Sequence, residues 1–507
     1  MAATQATYDE LLDSWRKATL LGSVQNQLGW DEQTYLPPGG AAHRADQMSL
    51  LAGMVHQQLT APRLGELISA LETGDKPAGS NGVFEANVRE ARRRYDRLTK
   101  LPTRLVEELT RVTSLAQQNW VEARKKSNFA MFQPWLEKIV ALKREEAAAL
   151  GGSKGNGVPY DVLLDEYEPG GKTADVAKIF AALREALVPL VRAIANAKKR
   201  PDSSILTRRY PKAAQAEFAT AAAAAIGFSF QDGRLDVSPH PFCSGNGPGD
   251  CRLTTRYDEH HFPCAFFGVL HEAGHGLYEQ GLDRKAFGTP IGDAASLGIH
   301  ESQSRMWENF VGRSAAFWKH FYAQAQKTFP EALGPVSRDE FYGSVNSVEP
   351  SFIRVEADEV TYNLHIMIRF ELEQQLISGK LQPADVPAAW NDQYTQSLGI
   401  TPANDAEGCL QDIHWSGGGL GYFPTYALGN MYAAQLFVTA RKDLGDLDAQ
   451  FAKGEFMPLR DWLREHVHRL GRQYLPGRLI EKITGKPLSH EPLVAHLKAK
   501  FEPLYGL

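Results

Sequence analysis

Residues 271–275 read "HEAGH", and the spacing of the two histidines constrains the fold more than any other feature of the sequence. Side chains four residues apart project from the same face of an α-helix, one turn apart. On a helix, His271 and His275 would therefore present their imidazole nitrogens to a single ion, with Glu272 beside them. Nitrogen ligands and a carboxylate that can take a proton from water match the needs of zinc-dependent hydrolysis. The spacing thus predicts a helix that holds a catalytic metal.

The third ligand can be sought by elimination. A metzincin would need glycine and histidine where this chain has Tyr278 and Gly281, so that class is excluded. A gluzincin places a glutamate on a following helix, and "LGIHESQSRMWENF" (297–310) supplies Glu301. Glu308, further along the same stretch, is the alternative. Histidine and carboxylate ligands of this kind leave a coordination position open for water, as catalytic zinc sites do.

Most of the remaining sequence predicts helices. Apolar residues recur at intervals of three and four over residues 101–150 and in several later segments. Strand signals are scarce, and the clearest is "RLTTRY" (252–257), which we expect in a small antiparallel sheet near the metal helix. The glycine-rich stretch "CSGNGPGD" (243–250) predicts a break in regular structure. The fold class we expect is therefore all-α with a small sheet.

We expect one domain over residues 1–507. An N-terminal helical part covers about residues 1–235, and the motifs that carry chemistry lie over residues 240–426. The breaks in the helical pattern are short and turn-rich, and none has the length of a domain linker.

The composition favours a soluble protein of the cytoplasm. The 55 basic and 60 acidic residues leave a net charge of -5, which gives no support for a nucleic-acid or membrane partner. No secretory signal is visible, and the longest apolar stretch, from Phe218 to Phe228, is too short to span a bilayer. Four cysteines without a CxxC pair are too few for a disulfide framework, so we expect reduced thiols.

The metal motif is accompanied by other short motifs in a fixed order. They are "WDEQTYLPPGGAAHRADQ" (30–47), "HPF" (240–242), "DCRLT" (250–254), "HESQ" (300–303), "IRVEAD" (353–358) and "GCLQDIHW" (408–415). Together with "HEAGH" they make the chain resemble the carboxypeptidase Taq family of HEXXH metallocarboxypeptidases. The resemblance covers essentially the whole chain.

This resemblance implies a helical, saddle-shaped subunit of gluzincin type with a deep central groove, usually a homodimer. It implies one zinc or cobalt ion per subunit, zinc being preferred. His271, His275 and Glu301 would be its ligands, and Glu272 the general base. The implied substrates are peptides with a free C-terminus, which lose single residues with broad side-chain tolerance.

A peptidase of this kind must recognise the α-carboxylate of its substrate. Arginine suits this task because its planar fork makes a pair of charge-assisted hydrogen bonds. Arg354 in "IRVEAD" is our candidate, and the resemblance points the same way. The alternative is a structural pair with Glu356 or Asp358. Arg252 in "DCRLT" is expected to pair with Asp250 inside the fold.

During hydrolysis, negative charge develops on the carbonyl oxygen of the substrate's peptide bond. A hydrogen-bond donor directed at this oxygen can stabilise the transition state by ~3 kcal/mol. Our candidates are His414, then Tyr422, then Tyr426, the last also as a substrate-binding residue. For each of them the alternative is simple packing in the core. The glycine-rich residues 416–421 would let the backbone approach a substrate closely.

Two other functions remain open at this point. One is another helical gluzincin that acts as an endopeptidase or oligopeptidase, and the other is an inactive scaffold that binds peptides. The presence of Glu272 disfavours the inactive scaffold. Amidation of a substrate's C-terminus would block a carboxypeptidase and spare an endopeptidase.

Overall fold

The computed structural model describes residues 2–76, 82–152 and 157–507, and most of them are helical. No helix in these ranges combines the length and the apolar character needed to cross a membrane. In chain order the α-helices are α1 to α21, at Ala2–Thr34, Ala41–Thr60, Pro62–Thr73, Val83–Lys100, Thr103–Lys125, Phe129–Ala149, Pro159–Tyr167, Thr173–Ala195, Lys212–Ala225, Phe262–Gly281, Leu297–Arg305, Ala315–Thr328, Pro330–Leu333, Arg338–Val345, Tyr362–Ser378, Val386–Leu398, Pro424–Leu444, Leu447–Phe451, Met457–His466, Pro476–Thr484 and Glu491–Tyr505.

The sheet has three strands, β1 (Gly233–Val237), β2 (Cys243–Gly247) and β3 (Asp250–Thr255), in the order β1-β3-β2. β2 runs antiparallel to β3, but β1 runs parallel to it. The expectation of a small sheet near the metal motif is confirmed, but the sheet is mixed rather than antiparallel. A local residue pattern identifies a strand but not its direction, because direction depends on the partner strand.

The glycine-rich residues 243–250 form a strand and a tight turn rather than a break alone. Gly247 pairs with Asp250 across a turn in which Gly249 has a φ of 84°, a conformation that glycine adopts without strain. Hydrogen bonding to β3 thus overrides the weak strand preference of the glycines. This correction matters because β2 lies against α10, the helix that carries the metal motif.

Aromatic residues bury one face of the first half of α10. Phe266 stacks on Phe262 and Phe218 with ring centroids 5.2 and 5.1 Å apart. Trp318 of α12 is fully buried, and its ring centroid lies 5.3 Å from that of Phe266. The residues just before "HEAGH" therefore anchor the helix on α9 and α12, as their apolar sequence predicts.

The chain divides into two compact units. The first unit comprises Met1–Thr99, Asp202–Val345 and Leu436–Lys486, and it contains the sheet, α10 and α11. The second comprises Lys100–Pro201, Asn346–Gln435 and Pro487–Leu507, and it contains the "IRVEAD" and "GCLQDIHW" motifs. Compact units need not fold independently, so the single domain over residues 1–507 stays a prediction.

We predict that Phe266→Ala lowers the free energy of unfolding by about 3–5 kcal/mol, because a buried ring is lost and a cavity is left. The measurement is urea unfolding followed by fluorescence and circular dichroism. Val438→Ala on α17 is the control, because Val438 is 55% exposed and its truncation should cost less than about 0.5 kcal/mol. Similar losses in both variants would contradict the role given to this aromatic cluster.

Candidate metal centre

Helices α10 and α11 bring three candidate ligand side chains together. His271 and His275 lie one turn apart on α10, and their Nε2 atoms are 3.8 and 3.6 Å from Oε2 of Glu301 on α11. Ligand atoms about 2.1 Å from a tetrahedral zinc lie roughly 3.4 Å apart. The spacing in this protein is close to that value, and all three ligand atoms lie within 4.8 Å of one another. The donor set therefore fits a divalent metal ion.

Gly274 lets the two helices approach each other closely enough for this arrangement. A Cβ atom at residue 274 would lie 2.5 Å from Cα of Ser304 and 2.6 Å from the carbonyl oxygen of Gln303. Real Cβ contacts are longer, and both clashing atoms belong to the backbone of α11. Any side chain at this position would push α11, and with it Glu301, away from the histidines.

Glu308, the alternative third ligand, occupies a different place. It lies in a π-helix, Met306–Gly312, that directly follows α11. Its Oε2 accepts a hydrogen bond from Nδ1 of His271 at 2.9 Å, so the proton of that imidazole lies on Nδ1. Nε2 of His271 then carries a free lone pair towards Glu301. Glu308 thus orients a ligand candidate in this structure, a role that carboxylates commonly have beside metal-binding histidines.

The carboxylates around the centre have distinct environments. Oε1 of Glu301 accepts a hydrogen bond from Nε of Arg305 at 2.7 Å, which leaves Oε2 facing the histidines. Burial raises the pKa of Glu272 to about 7. A carboxyl group with that pKa can both accept and release a proton near neutral pH.

Arg354 belongs to the second unit and is only 5% exposed. Its Nε and Nη2 donate to Oδ1 of Asp412 at 2.9 and 2.8 Å, and its Nη1 donates to the hydroxyl of Tyr362 at 3.0 Å. The expected structural alternatives, Glu356 and Asp358, are not the partners. Asp358 instead accepts hydrogen bonds from backbone N–H groups at the start of α15.

Asp412 also binds a second arginine that sequence reasoning missed. Nε of Arg369 donates to Oδ2 of Asp412 at 2.6 Å, and its Nη2 donates to Oε1 of Gln411 at 2.7 Å. Two guanidinium groups thus share one carboxylate, so the cluster keeps an excess of positive charge. The sequence signal that could have indicated Arg369 was an arginine in the otherwise apolar run "IMIRF" (366–370) of a buried helix.

The three candidates for the oxyanion donor form one aromatic group in the second unit. Nε2 of His414 lies 3.3 Å from the hydroxyl of Tyr426. The ring centroid of Tyr422 lies 5.2 Å from that of His414 and 5.3 Å from that of Tyr426. Burial, aided by the neighbouring arginines, lowers the pKa of His414 to about 4, so its imidazole is neutral at pH 7.

The glycine-rich loop beside this aromatic group is anchored to α15. The backbone N–H of Gly421 donates to Oε2 of Glu373 at 2.9 Å, and the indole of Trp415 donates to its Oε1 at 2.8 Å. Gly421 has a φ of 97°, and a Cβ atom there would lie 2.7 Å from the backbone of Leu163. Glycine is therefore required at this end of the loop.

The predicted pair of Arg252 and Asp250 is confirmed. Nε and Nη2 of Arg252 donate to the two carboxylate oxygens at 2.7 and 2.9 Å. The guanidinium also lies 4.2 Å from the ring centroid of Trp30, and that of Arg234 lies 5.1 Å from the same ring. Arg252 therefore belongs to the packing of the sheet against α1.

HEXXH on one helix and a glutamate on the next make the arrangement expected of a metallopeptidase of the gluzincin class. Comparison with known proteins narrows the class. Residues 10–501 match the family model of the carboxypeptidase Taq (M32) metallopeptidases. The chain belongs to this family.

Named relatives agree with the family match over nearly their whole length. Thermostable carboxypeptidase 1 of Thermus thermophilus is 46% identical, and the alignment covers 99% of both chains. Carboxypeptidase 1 of Bacillus subtilis is 40% identical with the same coverage. The crystal structure of the M32 carboxypeptidase from Deinococcus radiodurans superposes with a TM-score of 0.95 at 39% identity, over 99% of this chain and 100% of that one. The prediction of a metal-dependent carboxypeptidase is confirmed.

We predict that Gly274→Ala raises the zinc dissociation constant about 10- to 100-fold, the range for residues that orient metal ligands. The added methyl group meets the backbone of α11 and displaces Glu301. Competition with a fluorescent chelator measures the constant. Gly53→Ala on α2 is the matched control, because a Cβ atom there meets nothing within 4 Å. Unchanged zinc affinity in a folded Gly274→Ala protein would contradict the role of this close approach.

We predict that Asp412→Ala lowers the free energy of unfolding by about 3–5 kcal/mol, because it leaves buried arginines without their counter-charge. Asp392→Ala, at an exposed position on α16, should change it by less than about 0.5 kcal/mol. Urea unfolding at pH 7 compares the two variants. If Asp412→Ala unfolds at the same urea concentration as the control, the buried charge cluster does not stabilise the second unit.

Proposed function

We propose that this protein removes single amino acids from the free C-termini of peptides, with broad side-chain tolerance, at a zinc ion held by His271, His275 and Glu301. The observation that carries the proposal is the convergence of these three ligand atoms beside the buried carboxyl group of Glu272. Family membership supports the same reaction class.

His271 and His275 would hold the ion through Nε2, and Glu301 would hold it through Oε2. When bound, a divalent ion would supply polarisation of the substrate carbonyl and a lower pKa for a water molecule. Glu272 takes a proton from the attacking water and later gives it to the leaving amine. Its pKa of about 7 suits both transfers.

Arg354 receives the α-carboxylate of the substrate. Asp412 fixes the orientation of its guanidinium group, and Arg369 preserves an excess of positive charge in the cluster. His414 donates a hydrogen bond to the developing negative charge, with Tyr422 as the second candidate. Tyr426, hydrogen-bonded to His414, contributes to substrate binding. A neutral imidazole still carries one N–H donor, so the low pKa of His414 is compatible with this role.

The ion is zinc, and cobalt is the second candidate, because a set of imidazole and carboxylate ligands suits both. The working form is a homodimer in the cytoplasm. The four cysteines support a reducing compartment, because none of them forms a disulfide.

The test uses a peptide of one sequence with either a free or an amidated C-terminus, followed by mass spectrometry. The zinc-loaded protein should remove residues one by one from the free peptide and leave the amidated peptide intact. Cleavage of the amidated peptide would instead identify an endopeptidase.

Glu272→Gln is the matched variant, because it conserves size and should keep the metal. We expect the turnover number to fall by about 10²- to 10⁴-fold, the contribution of a general base, with unchanged zinc content in elemental analysis. Near-normal turnover would remove Glu272 from the mechanism.

A further inference from the structure

His275 has a hydrogen-bonded support that is separate from Glu308. Its Nδ1 lies 2.5 Å from Nδ1 of His300, the residue just before Glu301. Nε2 of His300 lies 2.8 Å from Oε1 of Glu279, one turn beyond His275 on α10. The side chains of His300 and Glu279 are largely buried, at 18% and 24% exposure. A continuous chain therefore runs from the carboxylate of Glu279 through His300 to His275.

This chain fixes the tautomer of His275. A carboxylate can only accept hydrogen bonds, so the proton of His300 lies on Nε2, towards Glu279. Nδ1 of a neutral His300 is then an acceptor, and the proton between the two rings belongs to Nδ1 of His275. The free lone pair of His275 consequently lies on Nε2, the atom that faces Glu301.

Strand β2 makes room for the carboxylate of Glu279. A Cβ atom at Gly245 would lie 2.2 Å from Oε2 of Glu279, so a side chain at this position could not coexist with the observed rotamer. Glu279 also lines a cavity of about 410 Å³ bounded by Gly245, Asn246, Cys251 and Gln280 among others. Removal of this carboxylate would therefore leave a space that a small molecule can reach.

We infer that Glu279 and His300 form a positioning dyad that holds His275 with Nε2 directed at the metal, and that Gly245 is part of the same device. This inference rests on the proposed metal site. Carboxylates that act through a histidine in this way commonly change metal affinity 10- to 100-fold. The carboxylate of Glu308 does the same for His271, so each histidine ligand has its own acidic support.

The test measures the zinc dissociation constant of the full-length protein by chelator competition, together with the thermal midpoint of the metal-free protein. Glu279→Ala and His300→Ala should each weaken zinc binding about 10- to 100-fold. Glu279→Gln should recover most of this loss, because its amide oxygen can still accept from Nε2 of His300. His320→Ala, which removes an imidazole elsewhere in the same unit, is the control and should bind zinc normally.

Chemical rescue separates positioning from general structural support. Formate can enter the cavity left by Glu279→Ala and accept a hydrogen bond from Nε2 of His300. Millimolar formate should therefore restore zinc affinity in that variant. It should not restore affinity in His300→Ala, which lacks the imidazole that formate would contact. Gly245→Ala, which removes no polar group, should weaken zinc binding because its methyl group displaces the carboxylate of Glu279.

The outcomes are distinct. Normal zinc affinity in folded Glu279→Ala and His300→Ala proteins, with the wild type binding zinc, overturns the dyad alone. A loss that formate leaves unchanged, matched by a lower thermal midpoint without metal, shows a structural role and also overturns it. Failure of the wild type to bind zinc overturns the proposed metal site instead.

Discussion

The close approach of α10 and α11 is the constraint on which the metal centre depends. The histidines on α10 have a fixed spacing that the helix itself supplies, but the glutamate must come from a separate helix. Gly274 permits that approach because a Cβ atom there would meet the backbone of Ser304 and Gln303. A similar contact occurs two residues further along α10, where a Cβ atom at Gly276 would lie 2.6 Å from the ring of Phe228 and 3.0 Å from the side chain of Leu253 on β3. The small residues of "HEAGHG" therefore serve packing, and they leave the histidines and the glutamate as the candidate chemical groups of this stretch.

Hydrogen bonds around the candidate ligands orient the side chains that helix packing brings together. Each imidazole has two nitrogens, and only one of them can face an ion. Hydrogen bonds to acidic side chains determine which nitrogen faces the site. Glu308 does this directly for His271, and Glu279 does it through His300 for His275. In the second unit the same principle applies to a cation, because Asp412 fixes the orientation of Arg354 and compensates part of the buried positive charge.

Much of this site was predictable because helical spacing is a local property. His271, Glu272 and His275 were candidates from one pentapeptide, and the following stretch supplied Glu301 and Glu308 as possible third ligands. The family resemblance favoured Glu301 between these two. The roles of Glu279, Arg369 and Asp412 were not predictable in the same way. Their partners are 21 to 58 residues away in the chain, and such pairs leave no periodic signal in a single sequence. The true partner of Arg354, 58 residues away, was missed for the same reason, while the nearby carboxylates Glu356 and Asp358 were considered first.

The sequence by itself determined the helical character of the chain, the helix that carries "HEAGH" and the candidate residues of the site, because periodicity and motif spacing are readable without a partner. The resemblance carried by its ordered motifs then indicated the reaction class. Only the tertiary structure decided the mixed direction of the sheet, the strand at 243–247 and the two hydrogen-bonding shells around the ligands and Arg354. Strand direction, helix approach and the choice between two ring nitrogens are properties of pairs of segments. They become defined only when distant parts of the chain are packed together.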